Sequence, residues 1–327
     1  MKLYRKEAQM KILILLPLEE YAIKKIEVLA KGRCEIVYKS VETVAAEDVF
    51  DADAVLGNLP PKLLPYAKKL KWLQSSMAGT DAYLGGVLPE GVKLTNVTGA
   101  FGLAISEHMV ATVFTLYKKL HLYRDNQNKS LWLDRGEVKQ IEGSTVLTVG
   151  LGDIGGNFAK KMKALGAYTI GVRRKDTSKP DYIDQLILQD KLDEVLPKAD
   201  IVALALPNTA ETKGLFNRER IYNMKTGATL INVGRGNAVD TEALCDALED
   251  GKLYAASLDV TDPEPLPCDH RLWKIENALI TPHISGFFHL RKTYENIVEI
   301  FIENLSRFLD GKDLVNIIDM TTGYVKK

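Results

Sequence analysis

Cysteine is scarce in this 327-residue chain: Cys34, Cys245 and Cys268 are odd in number, far apart, and without any C-x-x-C spacing. That argues against both a disulfide framework and a zinc site, and it suits a reducing, cytoplasmic setting. Charge of one sign is equally missing, because 43 Lys and Arg balance 43 Asp and Glu. No global field therefore points to nucleic acid or to an anionic membrane surface, and any attraction for anions must be local. The apolar run at residues 12–16 is stopped by Pro17 and is too short to cross a membrane, and no small-residue cleavage site follows it. Internal repeats and low-complexity tracts are absent too. What is present, 46% hydrophobic and 26% charged residues, is ordinary for a globular protein, and the length suits two domains better than one core.

The most informative stretch begins at Ser144. A β-branched apolar run at 145–149 leads into Gly150, Gly152 and Gly155 at G-x-G-x-x-G spacing, followed by a helical pattern through Phe158, Met162 and Leu165. That order of strand, tight turn and helix is the dinucleotide-binding arrangement. Gly150 takes the turn, Gly152 leaves no Cβ between backbone and pyrophosphate, and Gly155 lets the helix pack close to the strand. Free N–H groups at the helix start would face the phosphates. The next strand, 168–172, ends in Arg173, Arg174 and Lys175, where a carboxylate would have accepted hydrogen bonds from the adenosine ribose. Two arginines suit a 2′-phosphate instead, so NADP is expected over NAD.

Ahead of this stretch the chain alternates strand and helix after a polar leader at 1–9. Strands are expected near 11–16, 34–38, 52–56, 70–74 and 92–97, with a helix at 19–30, giving a parallel α/β domain. Between the last two strands lies Ser75-Ser76-Met77-Ala78-Gly79-Thr80-Asp81, whose small residues could expose backbone N–H groups as an anion cradle. Residues 101–121 read as one long helix too continuously apolar for a surface position; its His108 reads as a packing or capping residue. Residues 127–142, with Trp132, read as a loop. Later strands are expected at 201–206, 229–233, 254–260 and 278–281. Asp240 caps a helix at 241–249 that stops at Gly251. A closing helix at 290–309 is expected to return to the first domain, an arrangement that permits hinge closure.

Three of those strands end at Arg235 in G-R-G, Glu264 in D-P-E-P, and His283 in T-P-H. In a doubly wound sheet such ends face one crevice. Arg235 could hold the carboxylate and carbonyl of a 2-keto acid through its planar fork. His283 could give a proton to the carbonyl oxygen as a hydride reaches the carbon, and Glu264 would favour the imidazolium and fix its tautomer. His121, His270 and His289 lack such a setting and read as surface or packing residues. Met77, Tyr83, Leu103, Phe287, Phe288 and His289 are candidates for a side-chain pocket, with Phe287 and Phe288 equally readable as core.

These residues resemble the D-isomer-specific 2-hydroxyacid dehydrogenases. The likeness rests on S-S-M-A-G-T-D, V-G-L-G-D-I-G, I-N-V-G-R-G, S-L-D-V-T-D-P-E-P-L-P, I-T-P-H-I-S-G and the tail G-K-D-L-V-N-I-I-D. It implies an α/β protein of two parallel-sheet, Rossmann-like or flavodoxin-like domains. A nucleotide domain at 100–286 would be inserted in a discontinuous substrate domain at 1–99 and 287–327. It also implies a homodimer and Arg235, Glu264 and His283 as catalytic residues. By position, Ser76, Met77, Ala78 and Gly79 would lie near the substrate carboxylate, and Asp153 with Ile154 near the pyrophosphate. Leu206, Pro207 and Thr212 would line the cofactor; Val233, Asp259, Ser285 and Gly286 would lie near the nicotinamide. Arg173 stands where many members have Asp, as in the NADP-using glyoxylate and hydroxypyruvate reductases, and Glu264 stands where formate dehydrogenases have Gln. The expectation is an NADPH-dependent 2-keto acid reductase. An NAD-dependent D-3-phosphoglycerate dehydrogenase of the short form and a corepressor-like nucleotide-sensing protein are the alternatives.

Overall fold

The structure is a computed structural model that describes residues 10–175 and 178–326; the polar leader at 1–9 lies outside them. The chain divides into two compact units, one formed by residues up to Ala100 together with those from Leu290 onward, the other by Phe101–His289.

In the first unit, β1 (Met10–Ile14), β2 (Cys34–Tyr38), β3 (Ala54–Leu56), β4 (Trp72–Gln74) and β5 (Lys93–Thr95) form a parallel sheet in the order β2-β1-β3-β4-β5. Helix α1 (Glu20–Ala30) and the short α2 (Ala46–Val49) connect the early strands. Ile12, Leu13, Ile14, Val55 and Leu73 are wholly buried, as expected of parallel strands covered on both faces, which is why they read as continuous apolar runs. The strands are shorter than expected at 52–56, 70–74 and 92–97.

The closing helix, Arg291–Leu309, belongs to this unit and buries Ile297, Val298, Phe301 and Leu305. A buried polar network fixes it. Trp72 Nε1 donates to Thr95 Oγ1 at 2.7 Å and Thr95 Oγ1 to Gln74 Oε1 at 2.9 Å. Gln74 Oε1 also accepts from Asn304 Nδ2 at 2.7 Å. Buried amides cost free energy unless paired, so Gln74 and Asn304 specify where this helix sits.

The second unit holds seven parallel strands: β6 (Thr145–Val149), β7 (Tyr168–Arg173), β8 (Gln185–Leu188), β9 (Ile201–Leu204), β10 (Ala228–Asn232), β11 (Leu253–Leu258) and β12 (Ala278–Ile280). Their order is β12-β11-β10-β9-β6-β7-β8. The chain runs outward from β6 to β8 and then returns to place β9 on the other side of β6, which makes the carboxyl ends of β6 and β9 a topological switch point. Its helices are α3 (Gly102–Tyr117), α4 (Leu120–Asn128), α5 (Asp153–Ala164), α6 (Leu192–Val195), α7 (Arg218–Asn223) and α8 (Thr241–Glu249). Asp240 does cap α8, its carboxylate accepting from Ala243 N.

The single helix expected at 101–121 is two. Lys119 turns to a left-handed φ of +55°, and α4 begins after it and extends into what read as loop. The ammonium groups of Lys118 and Lys119 donate to the carbonyls of Lys139 and Arg135, holding the following segment against the break. Strand β8 and helix α7 were not anticipated from the sequence. Among the described residues no helix is long and apolar enough to cross a membrane, and no group of three or more His, Cys, Asp and Glu could hold a metal ion.

Candidate active site

The three glycines after β6 have three different structural reasons. Gly150 has a φ of +98°, where an L side chain is strained, and a Cβ there would meet Ala205 O at 2.6 Å. A Cβ on Gly155 would sit 2.0 Å from Gly150 O, so only glycine lets α5 lie this close to the turn. A Cβ on Gly152 would meet nothing within 4 Å. The protein itself does not need glycine at 152; something lying against that backbone would. At the first turn of α5, N–H groups have no carbonyl a turn earlier, and an anion satisfies them. Asp153 opens that turn, its carboxylate accepting from Gly102 N at 2.8 Å, and Ile154 follows.

At the end of β7, Arg173 Nη1 donates to Ser178 O at 3.4 Å, and Arg174 Nη1 lies 3.8 Å from Glu211 Oε2. Glu211 belongs to the turn after β9, where Thr212 Oγ1 donates to Pro207 O at 2.7 Å. Leu206 is nearly buried, and its backbone presses on Gly234 so closely that a Cβ there would lie 2.6 Å from Leu206 O.

The loops after β10, β11 and β12 lie side by side at one end of the sheet. Val233 ends β10's path, and the glycines around Arg235 are dictated by packing: a Cβ on Gly236 would meet Thr261 O at 1.9 Å. Arg235 is thus held between the β9 and β11 loops, with its carbonyl accepting from Asn232 Nδ2 at 2.8 Å. Glu264 Oε1 lies 2.6 Å from His283 Nδ1. Since a carboxylate only accepts, Nδ1 carries the proton of that bond and Nε2 is left for other partners. Both side chains are about two-fifths exposed, so a ligand can reach them.

His283 itself adopts φ +53°, uncommon for a residue with a Cβ. Asp259, 2% exposed, holds the loop in that shape. Its carbonyl accepts from His283 N at 2.8 Å. One carboxylate oxygen accepts from Thr281 Oγ1 at 2.5 Å and Ile284 N at 3.0 Å, the other from Ser285 N at 3.0 Å and Ser285 Oγ at 2.5 Å. Burial alone would raise the pKa of this carboxyl; the hydrogen bonds from Ser285, Thr281 and the Ile284 amide outweigh it, so the group titrates below the ordinary range. Gly286 follows, packed on Ile105 and Phe101 of its own unit. His108 of α3 sits beneath, its Nε2 3.4 Å from Thr281 Oγ1, and burial lowers its pKa against the opposing pull of Asp259.

In the first unit, Ser75 Oγ donates to Asn58 Oδ1 at 3.1 Å, and Ser76 N donates to the same oxygen at 3.0 Å. Met77 N donates to Ser75 Oγ at 3.1 Å, and Ala78 O accepts from Asn96 Nδ2 at 2.7 Å. Among the described residues the amides of Ala78 and Gly79 have no acceptor, which is the property of an anion cradle.

Two expectations fail. Phe287 and Phe288 are exposed, not core, because they precede the first turn of the closing helix. Tyr83 does not line a pocket: it is buried in its own unit with its hydroxyl on Leu59 O at 2.9 Å. His270 caps a 3-10 turn by accepting from Leu272 N at 3.1 Å. Asn58, Thr281 and Glu211 were not singled out from the sequence; each acts on a partner 17 or more residues away, and only G-rich or turn-forming neighbours mark them.

Residues 110–285 match the NAD binding domain of the D-isomer specific 2-hydroxyacid dehydrogenases. A crystal structure of such a family protein from Aeromonas salmonicida subsp. salmonicida is 34% identical, with a TM-score of 0.84 over 96% of this chain and 100% of that one. The chain belongs to the D-isomer specific 2-hydroxyacid dehydrogenase family. As a family member it is an oxidoreductase of 2-hydroxy acids that uses a nicotinamide cofactor. Among its relatives is the glyoxylate reductase of Thermofilum pendens, 31% identical over 281 residues, 81% of this chain and 80% of the relative. The D-3-phosphoglycerate dehydrogenase of Methanocaldococcus jannaschii is 29% identical over 320 residues, 95% of this chain but 59% of the relative.

Proposed function

We infer that the protein reduces 2-keto acids to D-2-hydroxy acids with NADPH, glyoxylate and hydroxypyruvate being the first substrates to test. The observation that carries this is the His283–Glu264 pair at 2.6 Å beside the loop that holds Arg235. When bound, NADPH supplies the hydride. Arg235 binds the substrate carboxylate and polarises the carbonyl oxygen, staying charged throughout. His283 Nε2 gives its proton to that oxygen and takes it back in the oxidation direction, while the Nδ1–H bond to Glu264 keeps the ring in the useful orientation. Asp259 keeps the His283 loop in shape through Thr281 and Ser285. Within the first unit, the amides of Ala78 and Gly79, with Ser76 and Met77, form a cradle of the kind that suits a carboxylate.

The residues present fit the cofactor. Gly152 leaves its backbone uncovered, α5 begins with Asp153 and Ile154, and Leu206, Pro207, Thr212, Val233 and Gly286 follow strands of the same sheet at its carboxyl edge. Arg173 and Arg174 at the end of β7 support NADP over NAD: each guanidinium at about 4 Å from a 2′-phosphate gains a few kcal/mol at an effective dielectric near 20, before desolvation. The fully exposed Trp132, 105% of its reference surface, between exposed Leu131 and Leu133 supports a homodimer in which these side chains are covered by a second copy.

A panel of 2-keto acids, with NADPH and NADH oxidation followed by absorbance, tests the assignment. The M. jannaschii relative makes phosphohydroxypyruvate a necessary panel member, but the 75–81 loop contains no Lys or Arg for a phosphate. NADPH turnover on glyoxylate or hydroxypyruvate supports the reading; NADH turnover on the phosphorylated acid replaces it. NADPH binding with no turnover on any acid would favour a nucleotide-sensing protein.

A further inference from the structure

The Arg174–Glu211 pair bridges two loops that are not neighbours in the sheet. Arg174 follows β7 and Glu211 follows β9, and β6 lies between those strands. The bridge therefore passes across the end of β6, over the glycine turn where the adenosine half of a dinucleotide would lie. The geometry points to Glu211 as a coenzyme-selectivity residue: it pairs with Arg174, and a 2′-phosphate must displace it to claim that guanidinium. This rests on the NADP reading above.

The charges decide the direction. A 2′-phosphate brings about −1.5 to −2 charges and three acceptor oxygens against the single charge of a carboxylate, so the exchange runs toward the phosphate. It runs less far than it would without Glu211, whose carboxylate competes for the same cation. NADH has no 2′-phosphate to put there and gains nothing from the exchange. Glu211 is 60% exposed and its pair with Arg174 is long, so the effect is modest: exposed pairs contribute about 0.2–1 kcal/mol, which is a change of at most about fivefold, with threefold near the middle of that range.

Fluorescence titration of NADPH and NADH on wild-type, Glu211→Gln, Arg174→Ala and doubly substituted protein tests this without turnover. Glu211→Gln is expected to tighten NADPH roughly threefold, with NADH unchanged, and the gain should shrink in 0.5 M KCl, where screening acts within about 4 Å. In the Arg174→Ala background the same substitution should do nothing, because the competition runs through that guanidinium. Wild-type protein that prefers NADPH while Glu211→Gln leaves the ratio unchanged overturns this inference alone. So does an equal gain in the Arg174→Ala background. Wild-type protein that does not prefer NADPH overturns the coenzyme assignment and this inference with it.

Discussion

Replacing Gly152 and Gly155 in turn by alanine separates what the coenzyme needs from what the fold needs. At 155 the new Cβ would lie 2.0 Å from a backbone oxygen, 1.4 Å inside ordinary contact, and the backbone cannot swing away. Such overpacking costs about 1–3 kcal/mol and should lower Tm by roughly 2–12 °C in a unit of this size. At 152 the Cβ meets nothing within 4 Å, and the backbone, at φ −81°, accepts alanine. Loss of chain entropy from the unfolded state makes that substitution neutral or stabilising by about 0.4–1 kcal/mol, up to roughly 4 °C in Tm. Its methyl group does project toward the site assigned to the pyrophosphate. Forcing a phosphate to make room should cost about 1–3 kcal/mol, roughly fivefold to 150-fold in Kd for NADPH. Scanning fluorimetry and coenzyme titration on the two variants give four numbers. Wild-type NADPH affinity in Gly152→Ala would refute the placement of the pyrophosphate, and a melt as low as that of Gly155→Ala would refute the open space.

His283→Ala should lower turnover by about 10²- to 10⁴-fold with NADPH affinity unchanged, and wild-type turnover would remove the imidazole from the reaction. Burial holds His108 below its usual 6.5, so as pH falls through that value the unfolded chain takes up the proton first and the native state loses stability. His108→Gln should therefore flatten the fall in Tm between about pH 6.5 and 5; an unaltered slope would assign it to other groups. Of the three cysteines, Cys268 is exposed, Cys34 and Cys245 are buried, and burial pushes the Cys245 thiol up to about 11. A thiol reagent should accordingly label one site in the native protein and three after denaturation; early labelling at 245 would contradict its burial.

Features set by nearby residues were legible in the sequence. Strands 34–38 and 145–149, the Asp240 cap and the glycine turn all depend on composition within a few positions, and all are where the pattern puts them. The ends of β10, β11 and β12 were legible as well, which is how Arg235, Glu264 and His283 could be singled out together. What escaped depends on distant partners. The break at Lys119 answers to carbonyls 16 and more residues ahead, and β8 is an edge strand whose residues are mostly half-exposed. Asn58 bracing Ser75, and Asp259 gathering Thr281 and Ser285, are contacts across 17 to 26 positions that no periodicity announces. Phe287 and Phe288 show the converse: an apolar side chain states a preference for burial, and the start of a helix can leave it unmet.

The amide of Asn304 that reaches Gln74 has a consequence for how the protein is made. In the order of synthesis Phe101–His289 precedes the closing helix, so the middle of the chain has all of its own residues while the beginning still waits for its last element. Until residue 304 emerges, the first sheet keeps a buried glutamine and a row of apolar side chains without cover. Released chains truncated shortly after position 289 should thus carry a protease-resistant centre and a susceptible amino-terminal part, an order of maturation opposite to the order of synthesis.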